Sequence, residues 1–266
     1  MKSILFILSS VLFLFQCSTV PVTGRRQLDL VPQSQLLALS FEQYNQFLSQ
    51  HKVISGTTES ALVKKVGYAI QRAVVQYFNT IKKPEILKGY KWEFNLVLDS
   101  SVNAFAMPGG KVAVFTGILP VTENEQGLAV VLGHEIAHAV ANHGNERMSQ
   151  LLLVQLGGMA LSEALSEKPE LTQQLALIAF GVGTQVGVLL PYSRIQESEA
   201  DRLGLIFMAM AGYDPRTAIG FWQRMEQQND PTVPEFLSTH PATSTRISDI
   251  ESQIPEAMKY YHPKVD

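Results

Sequence analysis

Apolar positions recur with helical spacing over much of this chain. Leu62, Val63, Val66, Ile70, Ala73, Val74 and Tyr77 form one stripe, predicting a helix over 59–77, and the segment 33–50 reads the same way. The period then shortens to two. Trp92, Phe94, Leu96 and Leu98 alternate with polar neighbours, and 103–119 reads as two short strands around the turn Pro108-Gly109-Gly110. Thr122 stands three residues before Glu125, a capping-box spacing that predicts a helix running to about Arg147, with Leu128, Val131, Leu132 and Ile136 as its apolar side.

From Leu151 to Leu190 the chain is apolar and helical with a charged break at Ser166 to Glu170. The run 175–190 has 16 residues and contains Thr184 and Gln185, too short and too polar to span a bilayer, so it is expected to be a buried helix or one lining a substrate site. A helix from Ile195 to Ala211 is expected to stop at Gly212, and the next to begin at Asp214-Pro215. From Pro231 the tail is read as a loop that becomes a last helix, ending near Pro255. The pattern predicts an α+β domain, mostly helical, with one small β-sheet.

The first residues depart from this pattern. Lys2 precedes an apolar run from Ile4 to Phe15, the length of a secretory signal core. The single cysteine, Cys17, follows it in Leu14-Phe15-Gln16-Cys17-Ser18, which resembles a lipobox apart from Gln16, where a small residue is usual. Residues 1–17 are therefore read as a signal peptide with lipidation at Cys17, and 18–266 as one catalytic domain. The 266 residues suffice for a real core, and a net charge of -3 without a basic stripe excludes nucleic acid as the partner.

Three of the six histidines fall in Gly133-His134-Glu135-Ile136-Ala137-His138-Ala139-Val140-Ala141-Asn142-His143. A helix advances about 100° per residue, so His134 and His138 lie about 40° apart and one turn along, where two imidazoles reach one ion. Glu135 stands beside that face, where a carboxylate can hold a water and act as general base. His143, nine positions past His134, falls about 180° away on a continuous helix and is expected to be a bystander.

Zinc in a hydrolase takes three protein ligands and leaves a position open. The third is sought in Ser193-Arg194-Ile195-Gln196-Glu197-Ser198-Glu199-Ala200-Asp201, at the expected start of a helix. Spacing alone leaves Glu197 and Glu199 as alternatives. Asp201, four beyond Glu197, is placed to accept from a ligand imidazole N–H.

At this point the sequence resembles the M48 group of gluzincin zinc metallopeptidases, the HtpX, BepA, LoiP and OMA types. The residues that carry the resemblance are HEIAH at 134–138, ESEAD at 197–201, PVTGRRQL at 21–28, NAFAMPGGKVAVFTGIL at 103–119 and STHPATSTRI at 238–247, five ordered motifs over nearly all of the mature chain. The resemblance implies a zincin-like fold and one Zn2+ held by His134, His138 and Glu197, with Glu135 as base and Asp201 supporting a ligand. It leaves Glu199 facing solvent or bonded to the protein surface. It also brings His240 and Arg246 toward the metal, as oxyanion support or, for His240, as a regulatory fourth ligand. Asn103, Ala104, Phe105, Ala106 and Met107 become the strand that pairs with a peptide substrate, and the helix near Gly181 to Leu190 a candidate wall.

The resemblance is nearest to LoiP-type lipoprotein members, without the multi-span portions of other types and without room for a helical-repeat domain before Asp266. Expected partners are unfolded envelope proteins, in protein quality control, and a membrane reached through the lipid anchor. The expected location is the bacterial periplasm, at the inner face of the outer membrane. The competing class is a non-catalytic, chaperone-like lipoprotein whose site His240 keeps closed; a third, a membrane-embedded protease, would need a longer apolar run.

Overall fold

A computed structural model describes residues 17–21, 23–185, 189–227, 236, 240 and 245–263. Residues 1–16 of the expected signal peptide, residue 22 of the N-terminal motif and most of 238–244 lie outside the described residues. The chain clusters into two compact units. One comprises the described part of 1–33 with Asn142–Gln196; the other comprises Ser34–Ala141 with Glu197–Asp266.

The second unit holds a four-stranded sheet. Its strands are β3 (Val53–Ile54), β4 (Glu93–Val97), β5 (Ala104–Met107) and β6 (Lys111–Phe115), in the order β3-β4-β6-β5. β4 and β6 run parallel, with Phe94 opposite Val112, while β5 returns antiparallel to β6 from the expected turn. Gly109 and Gly110 take φ +88° and +83°, conformations open to glycine at little cost. Strand β5 is therefore an edge. Leu98, expected in the apolar stripe of β4, is 52% exposed, because the strand ends at Val97 and that residue is buried instead.

Helices α1 (Gln33–Gln50) and α2 (Thr58–Thr80) form where the apolar spacing predicts them. Tyr44 of α1 donates to the carbonyl of Val112 at 2.7 Å and packs with Val97, Ala113 and Phe115, so α1 is tied to the middle of the sheet. Phe105 and Met107 pack on the same cluster. A short helix α3 (Leu119–Thr122) precedes α4 (Glu125–Val140).

Two expectations for the histidine helix change here. Asn124, not Thr122, caps α4: its Oδ1 accepts from Gln126 N at 2.9 Å and Gly127 N at 3.2 Å, while Thr122 Oγ1 donates back to Leu119 O. The helix also stops early, at Ala141, where Asn142 takes φ +62°. From Gly127 to Val140 every residue of α4 is buried, so it is a central helix rather than one with a single apolar side.

The sequence resumes as α5 (His143–Ala164) and, after the charged break, α6 (Glu170–Thr184). These lie in the first unit, with a ribbon that the apolar pattern did not signal: β1 (Cys17–Thr19) antiparallel to β2 (Arg26–Leu28). The 175–190 segment, expected to be buried or to line a substrate site, is not buried over its part in α6, where Ile178 and Val182 are 62% and 60% exposed; residues 186–188 lie outside the described residues.

Helix α7 (Leu190–Met210) starts earlier than the sequence suggests and ends before Gly212 as expected. The boundary between the two units falls within it, between Gln196 and Glu197. Helix α8 (Thr217–Gln227) begins two residues beyond Pro215, and α9 (Arg246–Ala257) carries Pro255 inside its last turn. Among the described residues no helix is long and apolar enough to cross a membrane.

Candidate metal centre

The site is built where α4 and α7 cross. A Cβ on Gly133 would stand 2.8 Å from the carbonyl oxygen of Gly204, and one on Gly204 would stand 2.9 Å from His134 N, so two glycines let these backbones touch. The contact sets the turn carrying His134 and His138 against the turn carrying Glu197 and Asp201. Glycine inside a helix costs about 1 kcal/mol relative to alanine, and here the close crossing offsets it.

Ligand atoms of His134, His138, Glu197 and His240 all lie within 4.8 Å of one another, and all four residues are buried. His134 Nε2 is 3.1 Å from His138 Nε2 and 3.2 Å from His240 Nδ1. Glu197 completes the group, with Oε2 3.3 Å from His134 Nε2, Oε1 3.3 Å from His138 Nε2, and Oε2 3.0 Å from His240 Nδ1. Four ligands about 2.0–2.1 Å from one ion stand about 3.3–3.4 Å apart at the corners of a tetrahedron, close to these separations. Lone-pair atoms facing a common point at such spacing are a set suited to a cation.

Around this group runs a ring of supports. Asp201 Oδ1 is 2.9 Å from His134 Nδ1, the position that accepts the outer N–H of a ligand imidazole. Arg246 donates to Asp201 twice, Nε to Oδ2 at 3.0 Å and Nη2 to Oδ1 at 2.8 Å, and from Nη1 to the carbonyl of His240 at 3.3 Å. Its guanidinium lies 3.5 Å from the ring centre of Trp222, and Phe236 packs on His134 and His240.

Charge follows from this packing. Burial alone would push the His134 imidazole down, but Asp201 and Glu197 outweigh it and raise the pKa to about 9. Burial works against the Glu197 carboxylate too, yet the three histidines hold it far below the ordinary range. Asp201 is likewise held low, chiefly by Arg246 and His134 against burial.

Glu135 is buried, and its Oε1 has no hydrogen-bond partner; His240 Nε2 is 3.4 Å away. A buried carboxylate oxygen left over beside a ligand cluster fits a water or substrate group.

The structure thus brings His134, Glu135, His138, Glu197, Asp201, His240 and Arg246 to one place. Of the two expectations for Glu199, solvent exposure does not hold, because the residue is 4% exposed. His143 stays outside the ligand group, though through a helix break rather than through opposition on one helix. Strand β5, with Asn103 ahead of it, keeps Asn103 and Ala104 buried and Phe105, Ala106 and Met107 half-buried along the edge. Trp222 and the glycine pair went unread in the sequence. A glycine directly before the HExxH motif in a buried helix was the available signal for the second.

Residues 62–254 match the family model described as Peptidase family M48. The chain belongs to peptidase family M48. Among M48 relatives, the mitochondrial metalloendopeptidase OMA1 of Schizosaccharomyces pombe is 40% identical over 169 residues, 63% of this chain and 48% of that protein. Human mitochondrial metalloendopeptidase OMA1 is 32% identical over 247 residues, 90% of this chain and 46% of that one. The beta-barrel assembly-enhancing protease of Escherichia coli K12 is 29% identical over 189 residues, 68% and 36% respectively. The chain therefore spans about half or less of the length of these relatives.

Proposed function

We propose that this M48 chain is a zinc-dependent metalloendopeptidase with His134, His138 and Glu197 as its metal ligands. The observation that carries the reading is the orphaned Glu135 oxygen beside four converging ligand atoms. A purely structural zinc site needs no carboxylate base beside it.

Zinc held there would polarise the scissile carbonyl and lower the pKa of a water toward about 7. Glu135 Oε1 takes the proton of the attacking water and delivers it to the leaving amine. Asp201, locked by Arg246, keeps the outer nitrogen of His134 occupied so that Nε2 faces inward. The exposed edge of β5 pairs with the substrate main chain, leaving side-chain preference to pockets.

His240 supports two roles. Its Nδ1 stands with the other ligand atoms, which favours a fourth ligand that holds the site closed until displaced. Swung away, its imidazole can donate to the oxyanion. Arg246 reaches Glu197 and Asp201 rather than open space, so its part in the reaction is to position.

The setting we propose is protein quality control in a bacterial periplasm: residues 1–17 direct export, Cys17 carries a lipid, 18–266 act as the catalytic chain, and the substrates are unfolded envelope proteins. Zinc content and cleavage of an unfolded protein, measured for the wild type and for Glu135→Gln, test the chemistry. Zinc in both and cleavage only in the wild type is the expected result; equal cleavage overturns it.

A further inference from the structure

The α5–α6 hairpin is apolar on two sides. Ala176, Leu177 and Phe180 make the half-buried face of α6, with Phe180 packed against Gly157 of α5. The opposite face should be polar in a helix that meets only water. Instead it carries Leu171, Leu175, Ile178 and Val182, 66%, 58%, 62% and 60% exposed, and α5 adds Leu156 and Met159 at 55% and 61%. No Asp, Glu, Lys or Arg occurs from Met148 to Ser162 or from Leu171 to Ser193. The charges collect at the connection, Glu163, Glu167, Lys168 and Glu170, three acids against one lysine.

The same unit contains the strand that starts at Cys17. Arg25 forms a two-point ion pair with buried Glu146, Nη1 to Oε1 at 2.7 Å and Nη2 to Oε2 at 2.8 Å. Leu30 N donates to Ser149 Oγ at 2.9 Å, Asn145 donates to the carbonyl of Val31 at 2.7 Å and to Asp29, and Asn142 donates to Asp29. Arg25 of the motif at 21–28, for which the proposed catalysis has no use, and Asp29 to Val31 beyond it thus fasten the first ribbon to the base of α5.

We infer that the exposed face of the α5–α6 hairpin binds a lipid bilayer surface, lying in the interface without crossing it. The apolar face is uncharged, no described helix is long and apolar enough to cross a membrane, and the segment after the apolar 4–15 run is locked to the base of the hairpin. Any attachment through the N-terminus brings the hairpin to the same membrane. With an acidic connection and no basic cluster, the attraction is apolar burial, so it does not depend on anionic lipid and resists salt. The inference rests on the reading that residues 1–17 lead the chain to a membrane, and it is independent of catalysis.

The test uses the full chain carrying Cys17→Ala and Ile178→Cys, labelled at the new thiol with an environment-sensitive fluorophore. It is mixed with phosphatidylcholine vesicles whose acyl chains are brominated. The expected result is quenching of at least twofold, unchanged in 0.5 M salt, and none for the same label at Asn45→Cys on exposed α1. Absence of quenching at position 178, or quenching only with anionic lipid, overturns the inference. A label shielded from lipid by concentration-dependent self-association overturns it in favour of a second copy of the chain. Loss of cleavage with quenching retained would sink the peptidase reading alone.

Discussion

Arg246 and Asp201 form a two-point ion pair inside the protein, with both carboxylate oxygens taken by one guanidinium at 2.8 Å and 3.0 Å. A lysine supplies one point charge where the pair needs a planar fork. Arg246→Lys is therefore expected to leave the fold intact but to loosen the Asp201 clamp on His134, weakening metal affinity by about 10- to 100-fold. Competition against a chelator of known affinity measures it; unchanged affinity would remove the clamp from the account. Arg246→Ala strands a buried carboxylate and should cost about 3–5 kcal/mol in denaturant unfolding.

Gly133→Ala separates helix propensity from packing. Alanine is the better helix former by about 1 kcal/mol, yet its Cβ would press on the Gly204 carbonyl at 2.8 Å. A net loss of about 1–3 kcal/mol is expected from overpacking, together with weaker metal binding, because α4 carries His134 and His138 of the ligand group and α7 carries Glu197. A stabilised variant in thermal unfolding would show that the crossing is not tight.

His240→Ala distinguishes closure from oxyanion support. As a displaceable fourth ligand, His240 suppresses turnover, and the alanine variant gains several-fold in kcat with zinc retained. As an oxyanion donor it contributes about 10²–10³ in kcat, and the variant loses that much. Steady-state kinetics on an unfolded substrate decides, and an unchanged kcat would exclude both roles.

Metal-free protein should have a characteristic pH profile. The His134 pKa is raised from 6.5 to about 9, so its protonation contributes stability that is fully present below pH 6.5 and is lost as pH rises through about 9. Glu197 and Asp201 are shifted down, so their contribution is present above about pH 4.5 and is lost as pH falls toward their lowered values. Metal-free protein should thus be most stable between these limits, and metal binding between pH 6.5 and 9 should release a proton from His134. Denaturant melts across pH and calorimetry in buffers of different ionisation heat check both statements.

Periodicity located α1 and α2 closely because each has one apolar stripe against one layer, and it found the strands around Pro108 because the turn residues there have few alternatives. It misread α4, whose burial on all sides leaves no polar face to show where the helix stops; only the φ of Asn142 marks the break. The three-residue ribbon strands carry no periodic signal, since distant side chains such as Glu146 and Asn145 hold their segment in place. Spacing and resemblance singled out His134, His138, Glu197 and His240, which the fold brings together. Trp222 escaped both, because its contact with Arg246 joins two helices through neither periodicity nor metal chemistry.

The unit that carries the metal group is interrupted in sequence: Asn142–Gln196 belongs to the other unit and separates His134 and His138 from Glu197 and His240. A metal ion bound to this group would therefore cross-link two stretches of chain that the intervening segment keeps far apart in sequence, closing one unit across the other's insertion.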